Sequence, residues 1–341
     1  MGSNKSSFNP KTARPPRIIP YKRMVFVCNP HSTRAKKALK SLSPQLQELS
    51  HWGLPFVIYS TKSPNFDINV EALFDFVEDG DLAVSVGGDA TASMVINASI
   101  KAKIEKGYTV FATALPFGNF SDIAANFGCR NIHDILNGRV AEFWPLACTV
   151  DGELWRYGVE YVSVGLYAEA CELFDEKDVR EAISKVPILR TPMSAVTLAT
   201  WWQKVRGKRF LANFNIKSKK KTRTKRQRAK GASNYLAING RSVARVLGGT
   251  KNRPDTFKHQ VGCPDRPLEL LGNMIEGILF RLPGEESRAD TITFDEAKEF
   301  TVQADGEYES FTAKTIEIRK ANTFVPVIQR QKEGIGALLI K

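Results

Sequence analysis

Between Lys22 and Phe127 the sequence alternates short apolar runs with segments of helical spacing. Residues 24–28 lead into Asn29-Pro30-His31-Ser32 and a helical pattern over 35–49; residues 55–59 precede a helical pattern over 70–78. Residues 82–86 run into Gly87-Gly88-Asp89-Ala90-Thr91 and a helix over 92–103. Residues 109–115 run into Pro116-Phe117-Gly118-Asn119-Phe120-Ser121-Asp122 and a helix ending near Phe127. Strands alternating with helices imply a parallel sheet with the helices on its faces. Ligands of such sheets sit at the carboxyl ends of the strands, where three of these loops fall.

Past residue 141 the texture changes. Apolar runs at 144–150, 154–164, 209–217, 234–239, 277–281, 291–294, 299–303 and 315–319 are bounded by turn residues, which predicts an antiparallel domain. Asp151-Gly152 is a hairpin signal. Helical spacing over 168–185 and 192–205, the second with Trp201 and Trp202, interrupts the strands. The expected architecture is an α/β domain with a parallel sheet over 22–143, then an antiparallel β-sandwich with attached helices over 144–328, with tails at 1–21 and 329–341. A chain of 341 residues is long enough for both cores.

The net charge of +13 is local. Residues 1–23 carry six Lys or Arg and residues 217–230 carry nine, with no acid in either segment, so the rest of the chain is close to neutral. The segment 217–230 reads as a solvated hairpin insertion, and its 219–228 stretch matches either a nuclear localisation signal or a patch for anionic lipid. It offers neither an aromatic platform nor a recognition helix, so nucleic acid is not an expected partner. The first residues, Met1-Gly2-Ser3-Asn4-Lys5-Ser6, fit the pattern for N-myristoylation at Gly2, with Lys5, Lys11, Arg14 and Arg17 as the second membrane signal; an ordinary disordered tail or an expression remnant is the competing reading. Without an apolar stretch of membrane-spanning length or a secretory h-region, the expected location is cytoplasmic and peripheral to a membrane. Five scattered cysteines and four histidines without ligand spacing argue against a disulfide scaffold and a structural zinc site.

Five elements carry a resemblance to the diacylglycerol kinase catalytic domain family of lipid kinases, which shares its nucleotide fold with NAD kinases and phosphofructokinases. They are Asn29-Pro30-x-Ser32, Gly87-Gly88-Asp89-x-Thr91, Pro116-x-Gly118-x-x-x-Asp122, Ser163-x-Gly165-x-x-Ala168 and Asp305-Gly306-Glu307, in the family's order. The resemblance implies ATP and Mg²⁺ as cofactors and a lipid hydroxyl as acceptor. It places Asn29, Ser32, Gly87, Gly88, Thr91, Gly118 and Asp122 around the nucleotide, and Asp89 near the acceptor hydroxyl or the metal. It makes Asp305 and Glu307 a late acidic pair, one a general base and both part of a Mg²⁺ network, and it puts Ser163, Gly165 and Glu169 near the lipid. Metal ligands beyond that pair are not specified.

The sequence departs from the family pattern at Ala90 and Thr33, where the family has Gly, and in the loop 118–122, where the family reads Gly-Thr-Gly-Asn-Asp. A methyl at position 90 is strained if the backbone there needs φ > 0. Cys171 stands where sphingosine kinases carry an Asp, which leaves diacylglycerol, monoacylglycerol and ceramide open as acceptors. Two functions therefore compete: an active lipid kinase, and a catalytically weakened or inactive relative that binds lipid as a scaffold. An NAD kinase-type enzyme is disfavoured by the Asp-Gly-Glu of the second domain.

Overall fold

The computed structural model describes residues 20–30, 35–118, 121–165, 167–169, 214–219, 224–229, 234–240, 242–243, 247–248, 250, 252–262 and 285–331. In the first domain the order is β1 (Arg23–Cys28), α1 (Ala35–His51), β2 (Phe56–Ser60), α2 (Phe66–Phe76), β3 (Asp81–Gly87), α3 (Asp89–Glu105), β4 (Phe111–Pro116), α4 (Asp122–Phe127), α5 (Ile132–Leu136) and β5 (Arg139–Phe143). Then come β6 (Leu146–Val150), β7 (Glu153–Gly158), β8 (Tyr161–Gly165), β9 (Phe214–Lys219), β10 (Thr224–Ala229), β11 (Asn234–Ile238), β12 (Ser242–Val243) and β13 (Leu247–Gly248). The chain ends its described course with β14 (Phe257–Gly262), β15 (Glu285–Ser287), β16 (Ala289–Ala304), β17 (Glu307–Lys320) and β18 (Val325–Gln329).

The first sheet has the order β2-β1-β3-β4-β18-β5, with β1, β2, β3 and β4 parallel as the alternation requires. β3 is buried along its whole length, which explains its unbroken apolar run. On one face α2 and α3 pack with Val25, Val27 and Ala83; on the other, α1 and α5 pack with Met24, Phe26 and Leu82. α3 is buried around most of its circumference because the second domain covers the face that the sheet leaves open, with Val159 and Tyr157 joining its core.

Ten of the antiparallel strands form one sheet around a core that includes Leu146, Val164, Ile216, Tyr235, Phe300 and Ile316, and β12 and β13 pair separately. The expected strands at 291–294 and 299–303 are one strand, β16, with an irregularity between Thr293 and Lys298. That bend lets its first half pair with β9 and its second half with β8, while β17 follows it on the other side.

Several expectations need correction. The run 154–164 is two strands, β7 and β8, parted at Val159-Glu160 for a reason given below. α2 starts four residues before the helical spacing, because Asn65 caps it by accepting the N–H of Ile68 at 3.0 Å. β18, which the apolar pattern did not separate from the second domain, returns to the first sheet between β4 and β5. The basic segment 217–230, read as a hairpin insertion, contains the end of β9 and all of β10, which pair antiparallel. The expected strand 277–281, the helix 192–205 and all but the start of the helix 168–185 lie outside the described residues, as do both expected tails except 20–21 and 329–331.

Candidate active site

Parallel register brings the loops together. Cys28 stands level with Val86, and Gly87 with Pro116, so the segments after β1, β3 and β4 leave the sheet side by side. Asn29 is half-buried at the first of these ends; Ser32 and Thr33 lie outside the described residues. At the second, a Cβ on Gly87 would lie 2.6 Å from the Thr91 hydroxyl oxygen, so glycine leaves room for the buried Thr91 side chain. Gly88 is the N-cap of α3 and no side chain caps that helix, so the N–H groups of its first turn are left for another acceptor.

The third loop closes onto the second. A Cβ on Gly118 would lie 2.3 Å from the Cα of Gly88, a backbone-to-backbone approach that requires glycine at position 118. Ser121 secures this contact: its hydroxyl accepts the N–H of Gly118 at 3.0 Å, and its own backbone is left-handed at φ 52. Asn119 and Phe120 lie outside the described residues.

Ala90 is not strained. It is the second residue of α3, and the described non-glycine residues with positive φ are Ser121, Asp151 and Asp305. Ala90→Gly therefore relieves nothing and is expected to lower stability by about 0.5–1 kcal/mol through lost helix propensity, read by chemical denaturation. A stabilised variant would contradict the helical placement.

Asp89, in the first turn of α3, reaches across to α4 and accepts the N–H of Ile123 at 3.0 Å and the N–H of Asp122. Burial pushes the Asp89 carboxyl up to about 6, and the nearby Asp122 and Asp305 add to the rise. Asp122 is itself buried at the start of α4.

Asp305 has a different part from the one expected. Both Asp-Gly-Glu sequences are two-residue hairpin turns with positive φ at Asp and Gly, 47 and 90 at Asp151-Gly152 and 53 and 98 at Asp305-Gly306. Asp151 is exposed and accepts the N–H groups of Lys314 and Thr315. Asp305 is 3% exposed and points inward. It accepts the N–H groups of Val159 at 2.7 Å, Glu160 at 2.8 Å and Tyr161 at 3.2 Å, and the hydroxyl of Ser93 at 2.8 Å. This is what breaks the run 154–164 in two: three successive N–H groups turn toward one carboxylate instead of a strand. Burial raises the Asp305 carboxyl, and those four donors work against the rise. A carboxylate filled by four donors has no room for a substrate proton or a metal, so Asp305 is a positioning residue that ties the β7–β8 turn to α3. Glu307, half-buried, begins β17 opposite Ala304.

Glu160 was not among the expected residues. It is 1% exposed and accepts a hydrogen bond from the Asn126 side chain on α4, while its Oε2 has no hydrogen-bond partner. A Cβ on Gly240 would sit 1.2 Å from that oxygen, so the glycine makes space for it. Burial pushes the Glu160 carboxyl well up, and Asp305, Asp89 and Asp122 push it further. An acid inside an apolar run, Val159-Glu160-Tyr161-Val162, was the available signal.

The expected lipid-side residues are not gathered here. Ser163 is fully buried and donates its hydroxyl to Gln303 at 2.6 Å, whose amide donates to Tyr161, so its polar group serves the β8–β16 pair. Gly165 ends β8 at φ 86, and Glu169 is half-buried in the short described helix that follows. Gly2 and Cys171 lie outside the described residues. Among the described residues no three metal-ligating side chains converge, and with Asp305 filled the Mg²⁺ network implied for that residue does not fit.

No protein-family model and no curated protein matches the chain. Solved structures do. A crystal structure described as of diacylglycerol kinases from Bacillus anthracis superposes with a TM-score of 0.64 at 15% identity, covering 91% of this chain and 97% of that one. A structure described as a putative diacylglycerol kinase from the same organism gives 0.64 at 16% identity over 91% and 98%. An NAD kinase from Archaeoglobus fulgidus in complex with ATP aligns with a TM-score of 0.40 at 15% identity. The chain thus has the diacylglycerol-kinase type of fold, a kinase-type fold of two domains.

Proposed function

We propose that the chain is an ATP-dependent phosphotransferase that phosphorylates a lipid hydroxyl at a membrane surface. The supporting observation is Asp89: a carboxylate at the uncapped N-terminus of α3, tied to α4, beside the contact of Gly88 with Gly118. Gly87, Gly88 and Thr91 offer backbone N–H groups and a hydroxyl to the phosphates, and Asn29 stands at the neighbouring strand end. In the transfer step the acceptor oxygen bonds to the γ-phosphorus as the bond to the β–γ bridging oxygen breaks. ADP leaves with that electron pair, and Asp89 takes the hydroxyl proton. The protein's own groups position the reactants.

Radiolabelled ATP supplied to mixed micelles of diacylglycerol, monoacylglycerol, ceramide and sphingosine, beside an Asp89→Asn control, tests this reading. Label on a lipid that is absent from the control supports it. Because Asp89 must be ionised to accept the proton, kcat/KM is expected to fall as pH drops through about 6. The same shift has a stability sign. The folded-state value lies above the ordinary carboxylate value of about 3.9, so wild-type stability declines as pH rises from about 4 to about 6. Asp89→Asn removes that decline, and a melting curve with the same pH slope in both proteins would contradict it.

The Gly118–Gly88 contact favours a second reading, because loops that touch leave little room between them for a phosphate chain. On that reading the protein binds lipid without transfer, ATP leaves the melting temperature unchanged, and no lipid is labelled.

A further inference from the structure

We propose that one face of the β9–β10 hairpin is the surface by which this chain docks on an anionic lipid bilayer. The proposal deepens the lipid-acceptor reading and rests on it for the choice of a bilayer over other polyanions. Residues directly opposite in an antiparallel ladder share a face. The register sets Lys217 opposite Arg226, Lys219 opposite Thr224 and Asn215 opposite Arg228, so four cationic positions fall on one side of two strands. On its other edge β9 pairs with β16, where Lys217 meets Thr291 and Lys219 meets Ala289.

Burial shows which way this side faces. Ile216 and Ser218 are buried in the second domain, while Lys217 and Lys219 are exposed. The hairpin is therefore anchored to the core by its alternate residues, which hold the lysines outward. The positions on the cationic side of the two strands, 215, 217 and 219 with 224, 226 and 228, include no aromatic residue of the kind a strand-tracking nucleic-acid platform requires.

Neither lysine side chain has an ion-pair partner among the described residues, and the acid that register places on the same side, Glu317 opposite Thr291, is two strands from Lys217, roughly 10 Å away. Like charges set opposite each other destabilise a ladder. Protecting an exposed edge from pairing needs charge only on the edge strand, β10, and an acid on β9 would then be the stabilising choice. Here both strands are cationic, and a flat array of like charge is completed by a planar surface of anionic headgroups.

The test is co-sedimentation of the full chain with phosphatidylcholine vesicles, alone or with about a third phosphatidylglycerol, in about 0.05 M and about 0.3 M salt. The expected result is binding to the anionic vesicles only, weakened by salt, and reduced about 25-fold or more in the variant K217E/K219E, at about fivefold for each cation lost. Both side chains are exposed and without an ion-pair partner among the described residues, so the melting temperature of the variant should match wild type. If it does not, K217Q/K219Q replaces it in the same comparison. Equal binding to both vesicle types, no binding, or undiminished binding by the folded variant would overturn the proposal. So would tighter binding to a duplex RNA or DNA that the same substitutions abolish. The measurement needs no phosphoryl transfer, so a chain that docks without labelling lipid separates the two readings.

Discussion

Asp305→Ala is expected to cost about 4–6 kcal/mol, at the far end of what single substitutions do. The carboxylate is buried and takes four hydrogen bonds, from the N–H groups of Val159, Glu160 and Tyr161 and from Ser93. Alanine leaves all four donors facing a small cavity. Each buried donor without a partner costs about 1–3 kcal/mol, and a water entering the space recovers part of the sum. Asp305→Asn is the graded control. Its carbonyl oxygen still accepts, but its NH₂ group points donors at donors, so a loss of about half the alanine value is expected. Urea denaturation measures both. A cost below about 1 kcal/mol for alanine would mean that the turn at 159–161 does not depend on this side chain. Any loss of transfer in these variants would then follow from displaced loops, as befits a residue that positions others.

Gly118→Ala is the second large effect. The added methyl would meet the Cα of Gly88 at 2.3 Å, and neither partner can rotate away because both are backbone. The two loops have to separate, at a cost of about 2–3 kcal/mol typical of overpacked sites. Separation also stretches the bond from the Gly118 N–H to Ser121 and shifts α4, so any rise in melting temperature on adding ATP should shrink with it. Gly88→Ala makes a sharp comparison. Its Cβ would stand 3.5 Å from Gly118, an ordinary contact, at a φ of −90 that any residue adopts. It is expected to cost less than about 1 kcal/mol in stability. Equal costs at the two glycines would contradict the asymmetry of the contact.

What was legible in the sequence was what is local. The glycine loops after β3 and β4 are written in consecutive residues, and the strand–helix alternation that places them is a periodicity. Ala90 could be misread because the motif does not say where α3 begins, and the helix begins one residue earlier, at Asp89. Asp151 and Asp305 carry the same three-residue signature and the same turn, and only the depth at which each turn sits separates a solvent-facing carboxylate from a buried tie. Glu160 and Asp305 are 145 residues apart in sequence and adjacent in space, a relation no local pattern encodes. The break between β7 and β8 was hidden for the same reason: its cause lies on a distant hairpin.

The position of β18 has a consequence for how the protein is made. Because β18 lies between β4 and β5, the first sheet is built from two stretches of chain with the whole antiparallel domain spliced between them. During synthesis β4 and β5 emerge early and cannot be joined until every strand of the second domain has been translated. Until then both flanks of that gap are open strand edges, the kind of surface that recruits other chains. The antiparallel domain, contiguous in sequence from β6 to β17, can fold during this interval, and the parallel sheet is sealed last.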